Sequence, residues 1–266
     1  MKTVKKIDAI PDMPKPCGLT LGSFDGMHLG HQHLLSELGE LVGKGSTAVY
    51  TFSNHPSHIL KNRQPTPLLC TLEHKLLLLK KAKVDLVIVQ EFDDAFSQLS
   101  YDEFLKQIKK QYPFSIFVLG KGAAFGKDRQ GDEKHIVELS KKMKFSAHYL
   151  KKFVFNKQPI SSGFIRHLID GGDLGFAAKL LGRLFSNYSK VQPGANPDSF
   201  SLSFKGLCMP PQGTYEISAI VDGKEYSGSG SLDRSELIFN FKLNDCNQDL
   251  NGSMIEVFFH KYLGTT

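Results

Sequence analysis

Short apolar runs alternate with longer amphipathic stretches through roughly the first 190 residues, and this alternation constrains the fold more than any other feature. Thr47 to Phe52, Asp85 to Val89 and Ser115 to Leu119 have the length of buried strands. Tyr101 to Gln111 and Glu133 to Met143 have the apolar spacing of helices. Strands that alternate with helices predict a parallel sheet with crossover helices, which is an α/β fold.

The pattern changes after about Asn187. Gln192 to Ser199 is rich in Pro, Gly, Asn, Asp and Ser, as linkers are, and the apolar runs beyond it are short and β-like. Asp222-Gly223 between two of these runs is typical of a type I′ hairpin turn. We therefore expect an α/β domain over residues 1–187 and a small all-β barrel over residues 188–266.

Composition excludes several classes of protein. The chain is 41% hydrophobic and 23% charged, and its apolar runs are too short to cross a bilayer, so we expect a cytoplasmic protein with no membrane partner. A net charge of +6 suits an anionic ligand, but no nucleic-acid recognition motif is present, so no nucleic-acid partner is expected. The four cysteines are scattered, which favours reduced thiols. No feature indicates an oligomeric state.

The segment from Leu21 to His31, Leu-Gly-Ser-Phe-Asp-Gly-Met-His-Leu-Gly-His, joins a strand to a helix that should begin near His28 or Leu29. Amides at a helix N-terminus, with its partial positive charge, form an anion site. Because Gly30 has no side chain, a phosphate or a base could approach the backbone there. The candidate nucleotide-binding residues of this segment are Gly22, Ser23, Phe24, Asp25, Gly26 and Gly30.

His28 and His31 are the candidate catalytic residues of this segment. Their spacing of three residues puts both on one face of the first helical turn. There an imidazole can donate hydrogen bonds to oxygens that gain charge as an α-phosphate is attacked. The alternatives are a metal-binding pair or two incidental surface histidines; we expect no protein-bound metal here.

A second candidate phosphate site opens a helix at Ile160-Ser161-Ser162-Gly163-Phe164-Ile165-Arg166. Ser161 or Ser162 can cap the helix, free amides can bind phosphate oxygens, and Arg166 can reach the same anion. The alternative is an ordinary serine cap beside a solvated arginine.

These two segments resemble the His-x-Gly-His and Ile-Ser-Ser-Thr-x-Ile-Arg signatures of the nucleotidyltransferase superfamily. The resemblance implies a Rossmann-like domain in which Arg166 is catalytic and no covalent intermediate forms. It also implies that an acceptor phosphate attacks the α-phosphate of ATP, with Mg²⁺ present. Gly163 stands where the signature has Thr, so one hydroxyl contact is missing.

Three further segments resemble bacterial FAD synthetases, in the correct order: Thr51 to Pro56, Leu119 to Gly126, and Gly172-Asp173 with Leu181-Gly182-Arg183. This resemblance implies FMN as the acceptor and FAD as the product. It also implies the acceptor-binding residues, which are His55, Gly120, Lys121, Phe125 and Arg129. Gly122 and Ala123 replace a polar and an aromatic residue of the family pattern, and altered acceptor choice is one explanation.

The C-terminal residues resemble the riboflavin kinase barrel of bifunctional members of that family, at Pro211 to Tyr215 and Asp249 to Gly252. The Gly-Phe-Pro-Thr-Ala-Asn segment is absent, and Ser199 to Phe204 occupies its region. Asn240 falls at the catalytic Glu position, and a neutral amide cannot act as the base. We therefore expect a degenerate barrel without kinase activity.

The expected function is FMN adenylyltransferase, in which ATP and FMN give FAD and pyrophosphate. One alternative is a nucleotidyltransferase with another phosphorylated acceptor, such as a pantetheine or choline phosphate. Another is a catalytically silent flavin- or nucleotide-binding protein.

Overall fold

The computed structural model describes residues 1–5, 9–59, 64–194, 196 and 199–265 of the chain. Contacts divide the chain into two compact units. The first comprises Met1–Thr66 and Leu76–Pro159, and the second comprises Pro67–Lys75 and Ile160–Thr266. No helix among the described residues is long and apolar enough to cross a membrane.

Within the described residues, six parallel strands form the sheet of the first unit, in the order β1-β4-β3-β2-β5-β6. Their bounds are β1 Lys2–Val4, β2 Cys17–Leu21, β3 Ser46–Phe52, β4 Leu86–Gln90, β5 Ile116–Gly120 and β6 Ser146–Leu150. The chain builds outward from β2 to β3 and β4, and then returns to place β5 on the other side of β2. The end of β2 is therefore a topological switch point, where open α/β sheets bind ligands.

Helices pack on this sheet, and the core contains residues of both the strands and the helices. They are α1 Leu29–Val42, α3 Asp94–Ser97, α4 Tyr101–Gln111 and α5 Glu133–Met143, while α2 Leu72–Lys81 has its first residues in the second unit. The core is rich in aromatic side chains, and Tyr50, Phe104 and Phe117 are buried in it. A short hairpin of β7 Val154–Phe155 and β8 Gln158–Pro159 ends the unit.

The predicted α/β fold is confirmed, and the predicted bounds of α4 and α5 are those observed. The helix expected near His28 or Leu29 begins at Leu29. The sequence pattern does not predict β1, because its three residues are too few to display a clear period-two alternation. It is specified instead by pairing with β4, since Thr3 lies beside Val87.

The second unit contains two helices and an antiparallel sheet among the residues described. The helices are α6 Ser162–Asp170 and α7 Leu174–Leu181. The strands are β9 Ser186–Lys190, β10 Gln192–Pro193, β11 Phe200–Ser203, β12 Gly213–Val221, β13 Lys224–Asp233, β14 Ile238–Leu243 and β15 Met254–Gly264. Their order is β10-β11-β14-β13-β12-β15-β9, and the Asn187 side chain donates to the Ser203 carbonyl across the gap between β9 and β11. The sheet is a nearly closed barrel, as expected.

Two local predictions for this unit have different outcomes. Asp222 and Gly223 both have positive φ, 49° and 80°, so the predicted type I′ turn between β12 and β13 is confirmed. The linker predicted over Gln192 to Ser199 is wrong at its start, because Gln192 and Pro193 pair with β11. Residues 195, 197 and 198 of that linker lie outside the described residues. The proposed division after residue 187 falls inside β9, which pairs with β15.

Candidate active site

The turn after β2 has an unusual backbone. The Gly22 N–H donates to the Tyr50 carbonyl of β3, which ties the start of the turn to the sheet. Phe24, Gly26 and Met27 then adopt positive φ of 48°, 77° and 43°. Left-handed backbone is strained for Phe and Met and costs about 1 kcal/mol or more per residue. Such strain persists only where the surrounding structure fixes it, and it clusters at functional sites.

His28 is the N-cap of α1, and it orients the second histidine of the motif. The His28 Nδ1 atom accepts a hydrogen bond from the His31 N–H at 3.3 Å. An accepting Nδ1 carries no proton, so in the neutral ring the proton is on Nε2, which is then a donor. The two imidazole rings stack with their centroids 3.7 Å apart and their planes 11° from parallel. The predicted shared face of the two histidines is therefore present.

Gly30 is constrained by this stack. A Cβ atom at Gly30 would lie 3.2 Å from the His28 ring and 3.7 Å from the Phe153 Cβ, so a side chain there would press on the histidine. The Phe24 ring lies against His31, with 5.0 Å between ring centroids. Asp25 and His28 are buried, with exposed fractions of 1% and 6%. The segment is thus a packed structure that fixes the histidine rings.

The first unit contains a cavity of about 460 Å³ that reaches this turn. Gly22 and Ser23 line it, as do three of the predicted acceptor residues, His55, Phe125 and Arg129. The remaining lining residues are Leu21, Phe52, Pro56, Phe92, Phe96, Ser97, Gln98, Leu99, Phe104, Leu119, Ala123, Ala124, Gly126 and Asp128. A largely apolar cavity with a few polar groups is the usual form of a small-molecule site.

One part of the lining is aromatic. Phe96 makes ring contacts with Phe52, Phe92 and Phe104 at centroid distances of 5.5 to 5.7 Å. Tyr50 packs behind Phe104, at 4.9 Å. Burial raises the pKa of the Tyr50 hydroxyl far above its usual value, so it stays protonated and donates to the Gln90 side chain. Phe92, Phe96 and their neighbours were not predicted as site residues; their only signal in the sequence is a Phe-rich stretch after the predicted strand Asp85 to Val89.

His55 has a fixed orientation at the cavity wall. Its Nδ1 atom accepts from the Ser57 N–H at 3.1 Å and lies 2.7 Å from the Ser57 hydroxyl. That hydroxyl accepts from the Thr66 N–H at 3.0 Å. Since Nδ1 is an acceptor, the neutral His55 ring carries its proton on Nε2.

The loop after β5 contains the other predicted acceptor residues. Gly120 is the last residue of β5, and the Lys121 N–H donates to the Leu150 carbonyl. Phe125 pairs with Gly131 through two backbone hydrogen bonds, of 3.3 and 2.9 Å. Lys121 and Arg129 are exposed, and Gly120 and Lys121 are not among the cavity lining residues. Of the predicted acceptor residues in this segment, Phe125 and Arg129 line the cavity.

In the second unit, Ser161 is the N-cap of α6, and its hydroxyl accepts from the Phe164 N–H at 3.2 Å. This settles which of the two serines is the cap. Ser162 is the first helical residue, and both it and Arg166 are half-buried. A Cβ atom at Gly163 would meet only the Ser161 hydroxyl, at 4.0 Å, so the missing threonine would fit there.

No group of three or more His, Cys, Asp and Glu side chains in the described part of the chain could hold a metal ion. Mg²⁺ binds readily to nucleotide phosphates while keeping several of its waters, and it often uses only one or two protein carboxylates.

The sequence model of the FAD synthetase family matches residues 10–164 of the chain. The chain belongs to the FAD synthetase family. It is therefore a nucleotidyltransferase, and the matched residues include the turn, both histidines and the whole cavity lining.

Curated relatives agree with this assignment to the FAD synthetase family. The bifunctional riboflavin kinase/FMN adenylyltransferase of Haemophilus influenzae is 30% identical over 92% of this chain and 85% of its own length. The Bacillus subtilis protein of that name is 28% identical over 91% and 83%. The Escherichia coli K12 protein is 25% identical over 98% and 89%.

A crystal structure described as a macrolide-efflux protein from Streptococcus pneumoniae has the same fold. It superposes with a TM-score of 0.81 at 24% identity and covers 100% of this chain and 91% of its own. The likeness concerns the fold alone.

Proposed function

We propose that the chain is an FMN adenylyltransferase that converts ATP and FMN to FAD and pyrophosphate. One observation carries the proposal. The turn that holds the stacked His28 and His31 also supplies Gly22 and Ser23 to the 460 Å³ cavity. A planar aromatic acceptor in that cavity would thus have its phosphate end near the groups suited to phosphoryl chemistry.

The reaction needs no covalent enzyme intermediate. A phosphate oxygen of FMN attacks the α-phosphorus of ATP and forms the new P–O bond. The bond from that phosphorus to the α,β-bridging oxygen breaks, and pyrophosphate leaves with the electron pair. Negative charge grows on the transferring group and on the leaving oxygen, so fixed donors at those oxygens accelerate the step.

We assign that role to the two histidines. The cap interaction directs the proton of neutral His28 to Nε2, and the stack holds His31 parallel to it. Because the turn fixes both rings before substrate binds, little reorganisation is needed during reaction. The absence of a side chain at Gly30 leaves the His28 ring unhindered in this position.

For the phosphates of ATP, the resemblance points to Ser161, Ser162 and Arg166. The cap at Ser161 orders the first turn of α6, whose amides attract anions. A guanidinium can bind two phosphate oxygens at once. We propose that this segment binds the β- and γ-phosphates, with Mg²⁺ bound to the same phosphates.

For the acceptor, the cavity offers aromatic surface and few charges. Rings of Phe52, Phe96 and Phe125 can pack against an isoalloxazine. The Nε2–H of His55 is a donor suited to a ring carbonyl or nitrogen, and the exposed Arg129 and Lys121 suit a phosphate. A pantetheine or choline phosphate has no aromatic ring, so it would not pack against these phenylalanine rings as an isoalloxazine can.

We further propose that riboflavin kinase activity is lost. Asn240 lies on β14 between the buried Phe239 and Phe241. Its partners on the neighbouring strands are Ser201 and Ser231, so no carboxylate lies directly opposite it on either strand. A base for the ribityl hydroxyl is missing from this position.

The deciding experiment uses the purified full chain with ATP, Mg²⁺ and either FMN or riboflavin, with products resolved by chromatography. FAD and pyrophosphate from FMN, with no FMN from riboflavin, would support both proposals. Binding of ATP and FMN without turnover would instead identify a catalytically silent protein.

A further inference from the structure

Two side chains from neighbouring elements hold the strained turn between β2 and α1. The Thr51 hydroxyl, on β3, donates to the Ser23 carbonyl at 3.1 Å. The Gln32 side chain, on α1, donates to the Met27 carbonyl at 2.8 Å. A carbonyl oxygen can only accept, so the Gln32 amide presents its nitrogen here. The turn is thus attached to the sheet near its start and to the helix at its end.

Each of these carbonyls belongs to a peptide group beside a residue with left-handed backbone. The Ser23 carbonyl is in the peptide that precedes Phe24, which has a φ of 48°. The Met27 carbonyl is in the peptide that follows Met27, which has a φ of 43°. Left-handed backbone is unfavourable for both residue types, so these peptides need contacts from outside the turn to keep their orientation. One hydrogen bond contributes about as much free energy as one left-handed residue costs, so each contact can decide the conformation of its peptide.

The peptide that Gln32 holds leads directly into His28. Its rotation would change the direction in which His28 leaves the turn. The contact of the His28 Nδ1 atom with the His31 N–H, and the stack of the two rings, depend on that direction. Thr51 is fully buried, Gln32 is half-buried, and neither is among the residues that line the cavity. An effect of these two side chains on the histidines would therefore pass through the backbone of the turn.

We propose that Gln32 and Thr51 are positioning residues, which keep the turn in its strained form and so fix His28 and His31 for adenylyl transfer. The inference rests on the proposed function, in which the two histidines are the donors to the reacting phosphate. Gln32 sets the orientation of the histidine pair. Thr51 sets the part of the turn that reaches the cavity, since Ser23 is a lining residue. Their loss should lower turnover, because a displacement of about 1 Å in a reacting group can cost roughly 10²-fold in rate.

The first test is steady-state kinetics of the full chain with ATP, Mg²⁺ and FMN. Gln32→Met keeps a side chain of similar length without the donor, and its kcat should fall roughly 5- to 100-fold with a much smaller change in the ATP KM. Thr51→Val matches threonine in shape and should also lose turnover, while Thr51→Ser keeps the hydroxyl and should retain most of it. Glu40→Met is the control, because it places methionine at an exposed position about two turns further along α1 and should leave kcat unchanged.

The second test locates the histidine protons and needs no turnover. In ¹⁵N NMR spectra of the full chain labelled at histidine, recorded where the rings are neutral, His28 should carry its proton on Nε2. The spectrum of His28→Asn assigns the signals. In Gln32→Met the cap should loosen, and the His28 signals should shift toward an average of the two tautomers. Glu40→Met should give the wild-type spectrum.

Several results would overturn the inference. Wild-type kcat in Gln32→Met, or an unchanged His28 spectrum in that variant, would remove the role of Gln32. Gln32→Glu, whose carboxylate cannot donate, decides the matter if Gln32→Met does not fold. Equal losses in Thr51→Val and Thr51→Ser would show that Thr51 contributes by packing and not through its hydroxyl. Absence of FAD formation in the wild type would instead refute the proposed function, and the His28 spectra would still test the positioning.

Discussion

At the residue scale, His28 has two separable duties, as cap of α1 and as proposed donor to phosphate. His28→Asn keeps an acceptor oxygen where Nδ1 caps the helix but removes the Nε2 donor. Turnover with FMN should fall by ~10²–10³-fold, with a much smaller change in the ATP KM, because the contact strengthens as charge develops. The thermal midpoint should stay near the wild-type value.

His31→Ala should give a similar fall in turnover, since the two rings act on one reacting group. The check is steady-state kinetics beside a thermal melt for each variant. Near-normal turnover in both the His28→Asn and the His31→Ala variants would show that these histidines are not catalytic.

Gly163 offers a gain-of-contact test. The site is open, so Gly163→Thr should fold and place a hydroxyl in the first turn of α6. One added hydrogen bond of about 1 kcal/mol corresponds to a roughly fivefold lower ATP KM. Gly163→Val matches threonine in shape without the hydroxyl and is the control. Equal ATP constants for the two variants would contradict a phosphate contact at this position.

The sequence predicted the shared face of the two histidines but not the tautomer of His28. The spacing of His28 and His31 predicted that they share a helix face, which the stacked rings confirm. The tautomer of His28 could not be predicted, because it depends on which N–H its Nδ1 atom accepts. That in turn depends on the left-handed backbone at Phe24 and Met27, which no local preference of those residue types favours.

At the element scale, prediction succeeded where an element has several turns or an alternating pattern. The bounds of α4 and α5 followed from apolar spacing, and α4 has a capping box at Ser100 and Glu103. It failed for β1, β10 and α3, which have three, two and four residues. Elements this short repeat their period too few times to show a pattern, so tertiary contacts specify them. The aromatic part of the cavity lies next to α3, so it was missed with it.

The β12–β13 turn gives an element-scale prediction for the barrel. Gly223 has a φ of 80°, so Gly223→Ala should lower the free energy of unfolding by about 1 kcal/mol. Asp222→Asn should be neutral, because Asn also tolerates the left-handed region. Denaturant unfolding of the full chain measures both. FMN adenylylation well below the melting temperature should be unchanged in Gly223→Ala, and a proportional loss would mean that the barrel takes part in the reaction.

At the scale of the whole molecule, the two compact units have different evidence for function. The first contains the residues that line the cavity and the stacked histidines, and most of the family match falls within it. The second contains the barrel, whose strands and hairpin were predicted from the sequence. The proposal that it has lost kinase activity rests on its departures from the riboflavin kinase pattern. The domain boundary after residue 187 stays a prediction, and contacts group residues from Ile160 onward with the barrel.

The barrel should not phosphorylate riboflavin even when a glutamate replaces Asn240. Asn240→Glu would restore a carboxylate on β14, but Ser199 to Phe204 still replace the segment whose threonine binds metal and nucleotide in the family pattern. A base without that metal contact cannot organise the phosphates for transfer. With riboflavin, excess ATP and Mg²⁺, neither the wild type nor Asn240→Glu should form FMN on chromatography, while both should form FAD from added FMN. FMN production by the unmodified chain would show that the barrel transfers phosphate through residues other than those of the family pattern.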